Sequence, residues 1–338
     1  MMRSFGMLED GRSIEAITLG SEEGLQVEVL TYGAILRRLT FPVNGVRRDL
    51  ILHFDRLEHY ERDRAYVGSL VGRFGNRIAA SRFVLDDKEY HVTANEGANH
   101  LHGGALGFGK RVWRVLDVTE RDAPRVLLGY HSPDGEEGYP GNVDATVELI
   151  VKPDTLSIIL GARTDAATPI NLTYHPYFNL QADRNLPAID QRLRIPADHY
   201  LPVGPGLIPT GQLTPVEGTT FDFRTSRPLR PPSVQGHPQL ALAGGYDHCW
   251  VLAQDADCAC ELSSPNRDIT LTMSGGPGLQ FYNGQFLSRS HPLIGNGVIL
   301  EPQGFPNSPN EPRFPNGVLR PGEVYRTGIE YRLEAPPR

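Results

Sequence analysis

Four polar clusters in this sequence sit where a packed interior would not ask for them. The first is Gly72-Arg73-Phe74-Gly75-Asn76-Arg77-Ile78. Its glycines let the backbone approach something closely, and Asn76 and Arg77 offer donors suited to hydroxyl groups; a surface turn with a salt-bridged arginine would read the same. The second, residues 95–104, carries His100 and His102 ahead of Gly103-Gly104. On a strand the two imidazoles share a face, a spacing that suits a metal ion, a hydrogen-bond donor beside a flexible loop, or two ordinary strand-end histidines. In the third, residues 168–180, an extended chain puts Asn171, Thr173 and His175 on one face and Leu172 and Tyr174 on the other. Pro176 cannot donate to a ladder, so His175 falls at a strand end or bulge, with Tyr174, Tyr177 and Phe178 placed to shield it from water. The fourth is Val298-Ile299-Leu300-Glu301-Pro302-Gln303, an apolar run ending in a carboxylate that is costly to bury unless paired or used. Asp247-His248 follows Gly244-Gly245, and Gln280 and Asn283 add amides.

This inventory is one imidazole acid, one carboxylate base and a surround of amide, guanidinium, carboxylate and aromatic groups. It suits a polyhydroxylated substrate, because amides and carboxylates bind hydroxyls and aromatic faces cover C–H surface. Other chemistries lack their signatures. There is no phosphate-cradling glycine loop, Walker lysine or nucleotide fingerprint, and no Gly-x-Ser-x-Gly elbow.

The whole chain sets bounds on partners. Its 338 residues carry 33 Lys+Arg against 40 Asp+Glu, a formal charge of −7. That argues against nucleic acid or an anionic membrane, both of which reward a basic face. No run approaches the roughly 18 apolar residues of a membrane span, and the N-terminus shows no apolar signal core. The three cysteines, Cys249, Cys258 and Cys260, are too few and too odd for a disulfide framework. A cytoplasmic location is expected. Cys258-Ala259-Cys260 lacks a second pair to complete a metal site and reads as structural.

The elements that must position these groups are short strands. Leu25, Val27 and Val29 alternate with polar residues; so do Ala145, Val147, Leu149 and Val151. Lys152-Pro153-Asp154 turns the chain and Leu156, Ile158 and Leu160 resume, a hairpin. Residues 269–273 and 329–333 repeat the pattern. A short charged helix is expected within residues 56–66. Without a βαβ rhythm, the fold class is all-β, an antiparallel sandwich or barrel. The 36 glycines and 28 prolines are spread as turn punctuation. Pro231-Pro232-Ser233 lies in a polar loop between strand patterns, so residues 1–338 are expected to form one domain.

Taken in order, these segments resemble the aldose 1-epimerase (galactose mutarotase) family nearly end to end. The resemblance rests on Gly72 to Ile78, Asn99-His100-Leu101-His102-Gly103-Gly104, Ser132-Pro133-Asp134-Gly135-Glu136-Glu137-Gly138-Tyr139-Pro140-Gly141, Asn171 to Leu180, Leu207-Ile208-Pro209-Thr210-Gly211, Glu301-Pro302-Gln303, Phe314-Pro315-Asn316 and Leu319-Arg320-Pro321-Gly322-Glu323. It implies a large antiparallel β supersandwich with few short helices and the interconversion of α- and β-anomers of aldohexoses such as galactose and glucose. It implies Glu301 as base, His175 as acid, and Arg77, His102, Asp247, Gln280 and Asn76 as sugar contacts. It implies no metal and no organic cofactor. Pro302, Tyr174, Pro176 and Asn307 stand where the family more often has other residues, and bear on sugar preference.

Ring opening removes the C1-hydroxyl proton and protonates the ring oxygen, work for a carboxylate and an imidazolium. His175 is expected to be held protonated by its carboxylate-rich surroundings. Three rivals make distinct demands. A glycosidase would pair Glu301 with Asp247, a cupin-like metalloenzyme would use His100, His102 and a third ligand, and a sugar-binding module would keep the cleft without the chemistry.

Overall fold

The computed structural model describes residues 1–121, 123–183, 185–230, 233–285, 287 and 296–336. Pro231 and Pro232 lie outside the described residues. The alternating runs form strands as their period requires. In Val143–Val151, Val143, Ala145, Val147, Leu149 and Val151 turn inward and the residues between them turn out. Thr155–Thr164 returns antiparallel across the Lys152-Pro153-Asp154 turn, with Val151 opposite Leu156. Gln26–Leu30, Thr270–Ser274 and Tyr325–Glu334 are the other strands expected from alternation.

Three large sheets result. A five-stranded sheet runs in sequence order from Met2–Met7 to Val46–Asp49. A nine-stranded sheet holds the long hairpin and Tyr325–Glu334. A six-stranded sheet runs Tyr177–Phe178, Val298–Gln303, Gly278–Tyr282, Asp247–Val251, His199–Leu201, Thr214–Pro215, with every ladder antiparallel. One hydrophobic cluster joins the sheets, from Ile17 through Val147, Ile158, Trp250, Phe281 and Leu300 to Leu333. Burying sheet faces against each other is what makes a sandwich stable.

Helix is scarce. The charged segment forms only Leu57–Arg62, shorter than residues 56–66, because Asp63 turns the chain. One Asp63 oxygen accepts the Ala65 N–H and the other the Val67 N–H, each at 2.8 Å. Lys110 Nζ donates to the carbonyls of Tyr60 and Asp63 at 2.7 and 2.6 Å and closes the helix C-terminus. A second helix, Pro238–Ala243, carried no strong periodic signal; His237 caps it and Gly244 ends it. Among the described residues no helix is long and apolar enough to cross a membrane.

Candidate active site

The six-stranded sheet places the site by register. Cross-strand partners run Cys249–Gln280–Glu301 in one row and Asp247–Tyr282–Ile299–Tyr177 in the next. Because side chains alternate, Asp247, Gln280, Glu301 and Tyr177 emerge on one face, while Trp250, Phe281, Leu300 and Phe178 enter the core on the other. Val298–Gln303 is nonetheless buried along both faces, because loops cover its polar side. They come from the three other clusters singled out in the sequence.

The 171–175 segment lies over Val298–Gln303 with the facing expected. Thr173 Oγ1 donates to the Pro302 carbonyl at 2.9 Å. Asn171 Nδ2 donates to Gly75 O at 3.1 Å and Gly304 O at 3.3 Å, while its Oδ1 accepts the Gly304 N–H at 2.8 Å. His175 continues the same face to Glu301. Tyr174 points the opposite way and donates to Ala34 O at 2.7 Å. Of the three aromatic residues expected to shield His175, only Tyr177 does so, with ring centroids 5.3 Å apart. Phe178 packs on Tyr331 in the core. The second shield is Tyr66, whose ring lies 4.7 Å from that of His102 and 5.7 Å from that of His175. No local pattern marked Tyr66; it reaches the site on the turn built by Asp63.

His102 and Asn76 clasp each other through the backbone. The His102 N–H donates to Asn76 O at 3.1 Å, and the Asn76 N–H donates to His102 Nδ1 at 3.2 Å. Both residues have positive φ, +51° and +64°. A neutral ring that accepts at Nδ1 carries its proton on Nε2, so His102 offers the pocket a donor. The chain then leaves through Gly103 at φ +82°, where a Cβ would lie 1.8 Å from Gly72 O; only glycine fits.

His100 does not share this face. Its Nδ1 lies 2.6 Å from Thr93 O, a carbonyl that only accepts, so Nδ1 carries the proton; Nε2, at 2.7 Å, takes the Tyr139 hydroxyl. Both nitrogens are committed to the interior, and the His100–His102 metal pair is corrected to a satisfied core histidine beside a pocket histidine. Alternation fails because His102 is left-handed. One nitrogen of His102, one of His175 and an oxygen of Glu301 do lie within 4.8 Å of one another. The Asn76 N–H occupies one His102 lone pair and the Nε2 proton covers the other position, so this trio does not fit an ion.

Arg73, in the same segment as Arg77, is structural. Its guanidinium is buried and donates to Ser132 Oγ, Ser132 O, Pro133 O and Pro140 O, gathering the 132–141 loop. Asn307 likewise serves the backbone, its Oδ1 accepting from Ala79 N at 2.9 Å. Arg77 and its partners instead line the pocket. Arg77 Nε and Nη2 donate to the two oxygens of Glu96 at 2.7 and 2.8 Å, and Nη2 also donates to Asp247 Oδ2 at 3.2 Å. Gln280 Nε2 donates to Asp247 Oδ1 at 2.6 Å, leaving Gln280 Oε1 buried without a partner. Asp247 thus has a donor on each oxygen.

Glu301, His175, Asn76, Arg77, His102, Asp247 and Gln280 all border one pocket of about 290 Å³, near the lower end for small-ligand sites. Glu301 Oε1 and His175 Nδ1 are buried and unpartnered. Burial drives the Glu301 carboxyl well above its ordinary range, the Asp247 charge adds to the rise and Arg77 opposes it. Burial likewise pulls the His175 imidazole down to about 4, against the backbone carbonyls of His175 and Tyr66 and the charge of Asp247. The expectation of a protonated His175 is therefore corrected: desolvation outweighs the nearby carboxylates.

An antiparallel β-sandwich in which a buried carboxyl and a buried imidazole border one polar cleft suits an enzyme acting on a polyhydroxylated substrate. Comparison with known proteins agrees. The aldose 1-epimerase family profile matches residues 15–332. Galactose mutarotase of Mus musculus is 38% identical over 335 residues, covering 95% of this chain and 94% of that protein. Aldose 1-epimerase of Escherichia coli K12 is 35% identical over 341 residues, covering 96% and 97%. The crystal structure of galactose 1-epimerase from Lactobacillus acidophilus superposes with a TM-score of 0.87 at 28% identity, covering 100% of this chain and 99% of that one. The chain belongs to the aldose 1-epimerase family.

Proposed function

We propose that this enzyme interconverts the α- and β-anomers of free aldohexoses such as galactose and glucose, with Glu301 as the base, His175 as the acid, and Asn76, Arg77, His102, Asp247 and Gln280 holding the sugar hydroxyls. The observation that carries this reading is that Glu301 and His175, both buried, border one pocket with a carboxylate oxygen and an imidazole nitrogen within 4.8 Å of each other. The two oxygens that exchange protons in mutarotation are bonded to the same carbon, so base and acid must face each other across a single atom.

The Glu301 carboxylate takes the proton from the C1 hydroxyl. The C1–O5 bond breaks as C1=O1 forms, and the His175 imidazolium protonates O5. The aldehyde turns about C1–C2. On reclosure O5 attacks the other face of C1, His175 recovers its proton and Glu301 returns one to O1. Nothing is consumed. His102 Nε2–H and the Arg77 guanidinium donate to hydroxyls; Gln280 Oε1 accepts from one. We also infer one catalytic domain, from the single cluster joining Ile17 to Leu333, and a cytoplasmic setting, from three buried unpaired thiols.

Polarimetry on freshly dissolved α-D-galactose and α-D-glucose tests the reading. The wild-type protein accelerates mutarotation, while Glu301→Gln and His175→Asn each lose at least about a hundredfold in kcat with the fold intact. A folded Glu301→Gln protein with near-wild-type turnover would remove Glu301 as the base.

A further inference from the structure

We propose that Glu96 is a positioning residue for anomer exchange, acting through Arg77 by setting the plane of its guanidinium against the bound sugar. This rests on the anomer-exchange reading above and assigns a part of the same site that the sequence did not single out.

A guanidinium has five N–H bonds in one plane. Glu96 takes two of them, at 2.7 and 2.8 Å, in the fork-to-fork arrangement that defines both position and tilt. Asp247 takes a third from the same Nη2. The two hydrogens on Nη1 have no acceptor among the described residues, and Arg77 borders the pocket. Held along one edge by Glu96 and at one corner by Asp247, the group has one way to present Nη1. Without Glu96 the only constraint left is a single 3.2 Å bond, about which the guanidinium can swing.

Glu96 is itself built into place. Asn95 pairs with Leu101 through its side chain, its Oδ1 accepting Leu101 N–H at 2.7 Å and its Nδ2 donating to Leu101 O at 2.9 Å. Glu96 and Asn99 exchange two backbone hydrogen bonds of 3.0 Å, which closes the turn. Leu101 is the register partner of Arg77, so the turn carrying the carboxylate is referenced to the strand carrying the guanidinium. The Glu96 side chain is 35% exposed. Its partner Arg77 is only 7% exposed, so loss of this carboxylate carries a stability cost as well as a geometric one, and thermal unfolding separates the two.

The test is a double-mutant cycle. Wild type, Glu96→Gln, Arg77→Lys and the double variant are compared by polarimetry on α-D-galactose and by thermal unfolding. Arg77 binds hydroxyls in ground and transition states alike, so Glu96→Gln is expected to raise KM about tenfold while kcat changes less. Lysine has no plane to set, so Glu96→Gln added to Arg77→Lys should change KM by less than about twofold. An unchanged KM in Glu96→Gln, a full tenfold loss on top of Arg77→Lys, or a fall in unfolding midpoint large enough to explain the loss would each overturn the proposal. If Arg77→Lys itself left both constants untouched, the sugar site would be misplaced, a failure of the underlying reading rather than of Glu96 alone.

Discussion

Burial moves the proton shared by Glu301 and His175 toward the carboxyl, because it raises the Glu301 carboxyl well above its ordinary range and lowers the His175 imidazole. A carboxylate facing an imidazolium and a carboxylic acid facing a neutral imidazole contain the same number of protons. The dry pocket favours the second arrangement, because neither group is charged. That is also the arrangement left by ring opening, once O1 has given up its proton and O5 has gained one. On the proposed mechanism this neutral arrangement matches the open-chain aldehyde, and the cyclic sugar is met by the ionic form, which hydroxyl donors on Glu301 stabilise. Because the two forms differ by no net proton, their ratio does not vary with pH, and the pair titrates as a unit. The acid limb of kcat/KM then belongs to His175, which gains a proton near 4, and the alkaline limb to Glu301, which loses one well above the usual carboxylate range. We expect kcat/KM, corrected for spontaneous mutarotation, to be flat from about pH 5 into the neutral range. A limb centred near pH 6.5, the ordinary imidazole value, would show that His175 titrates as a solvated group and that the inverted assignment is wrong.

Asn171 shows how elements turn these residues into a site. It touches no pocket atom, yet it bonds Gly75, two residues before Arg77, and both the N–H and C=O of Gly304, three residues after Glu301. It also lies four residues before His175 on the same extended segment. Asn171→Ala leaves buried backbone groups unpaired, at roughly 1–3 kcal/mol each. We expect a loss of about 2–4 kcal/mol of stability by urea unfolding together with a fall in kcat. A variant with the stability loss but unchanged kcat would mean that the three segments keep their alignment without this staple. The facing of Asn171, Thr173 and His175 was legible in the sequence, since a two-residue period and one proline sufficed. So were the long strands, where four or more alternations left no other period. The two-residue strands Leu70–Val71, Arg77–Ile78 and Thr173–Tyr174 are too short to show any period, and left-handed His102 broke the alternation assumed for its pair. Tyr66 and Glu96 were invisible for a different reason: their roles arise from contacts with residues far along the chain, and a tyrosine on a turn or a glutamate in a loop has no local signature.

At the scale of the whole molecule, folding places four imidazoles from three separate segments in dry surroundings. His100, His175 and His248 are each pulled down to about 4, and His102 is pulled well below its ordinary value, in every case mainly by burial. In the unfolded chain each takes up a proton below about pH 6.5. Between about pH 4 and 6.5 the unfolded state therefore binds more protons at these sites, and stability falls as pH falls. Glu301 works in the opposite sense, because its raised pKa lets the folded state keep a proton that the unfolded state releases above about 4.3. His102 adds to the three imidazoles near 4 and Glu301 opposes them, so the net proton uptake on unfolding lowers stability as pH falls through this window. Total stabilities are about 5–15 kcal/mol, so this uptake removes an appreciable part of the stability before the ion-paired carboxylates titrate. Asp268, clamped by Arg48, stays ionised down to about 2. Urea midpoints measured at pH 7, 6 and 5 should drop more steeply over the second step than the first, with the m-value little changed. A midpoint that stayed level from pH 7 to 5 would mean that the buried imidazoles take up protons in the folded state as readily as in the unfolded one, and that the pocket around His102 and His175 is wetter than its packing implies.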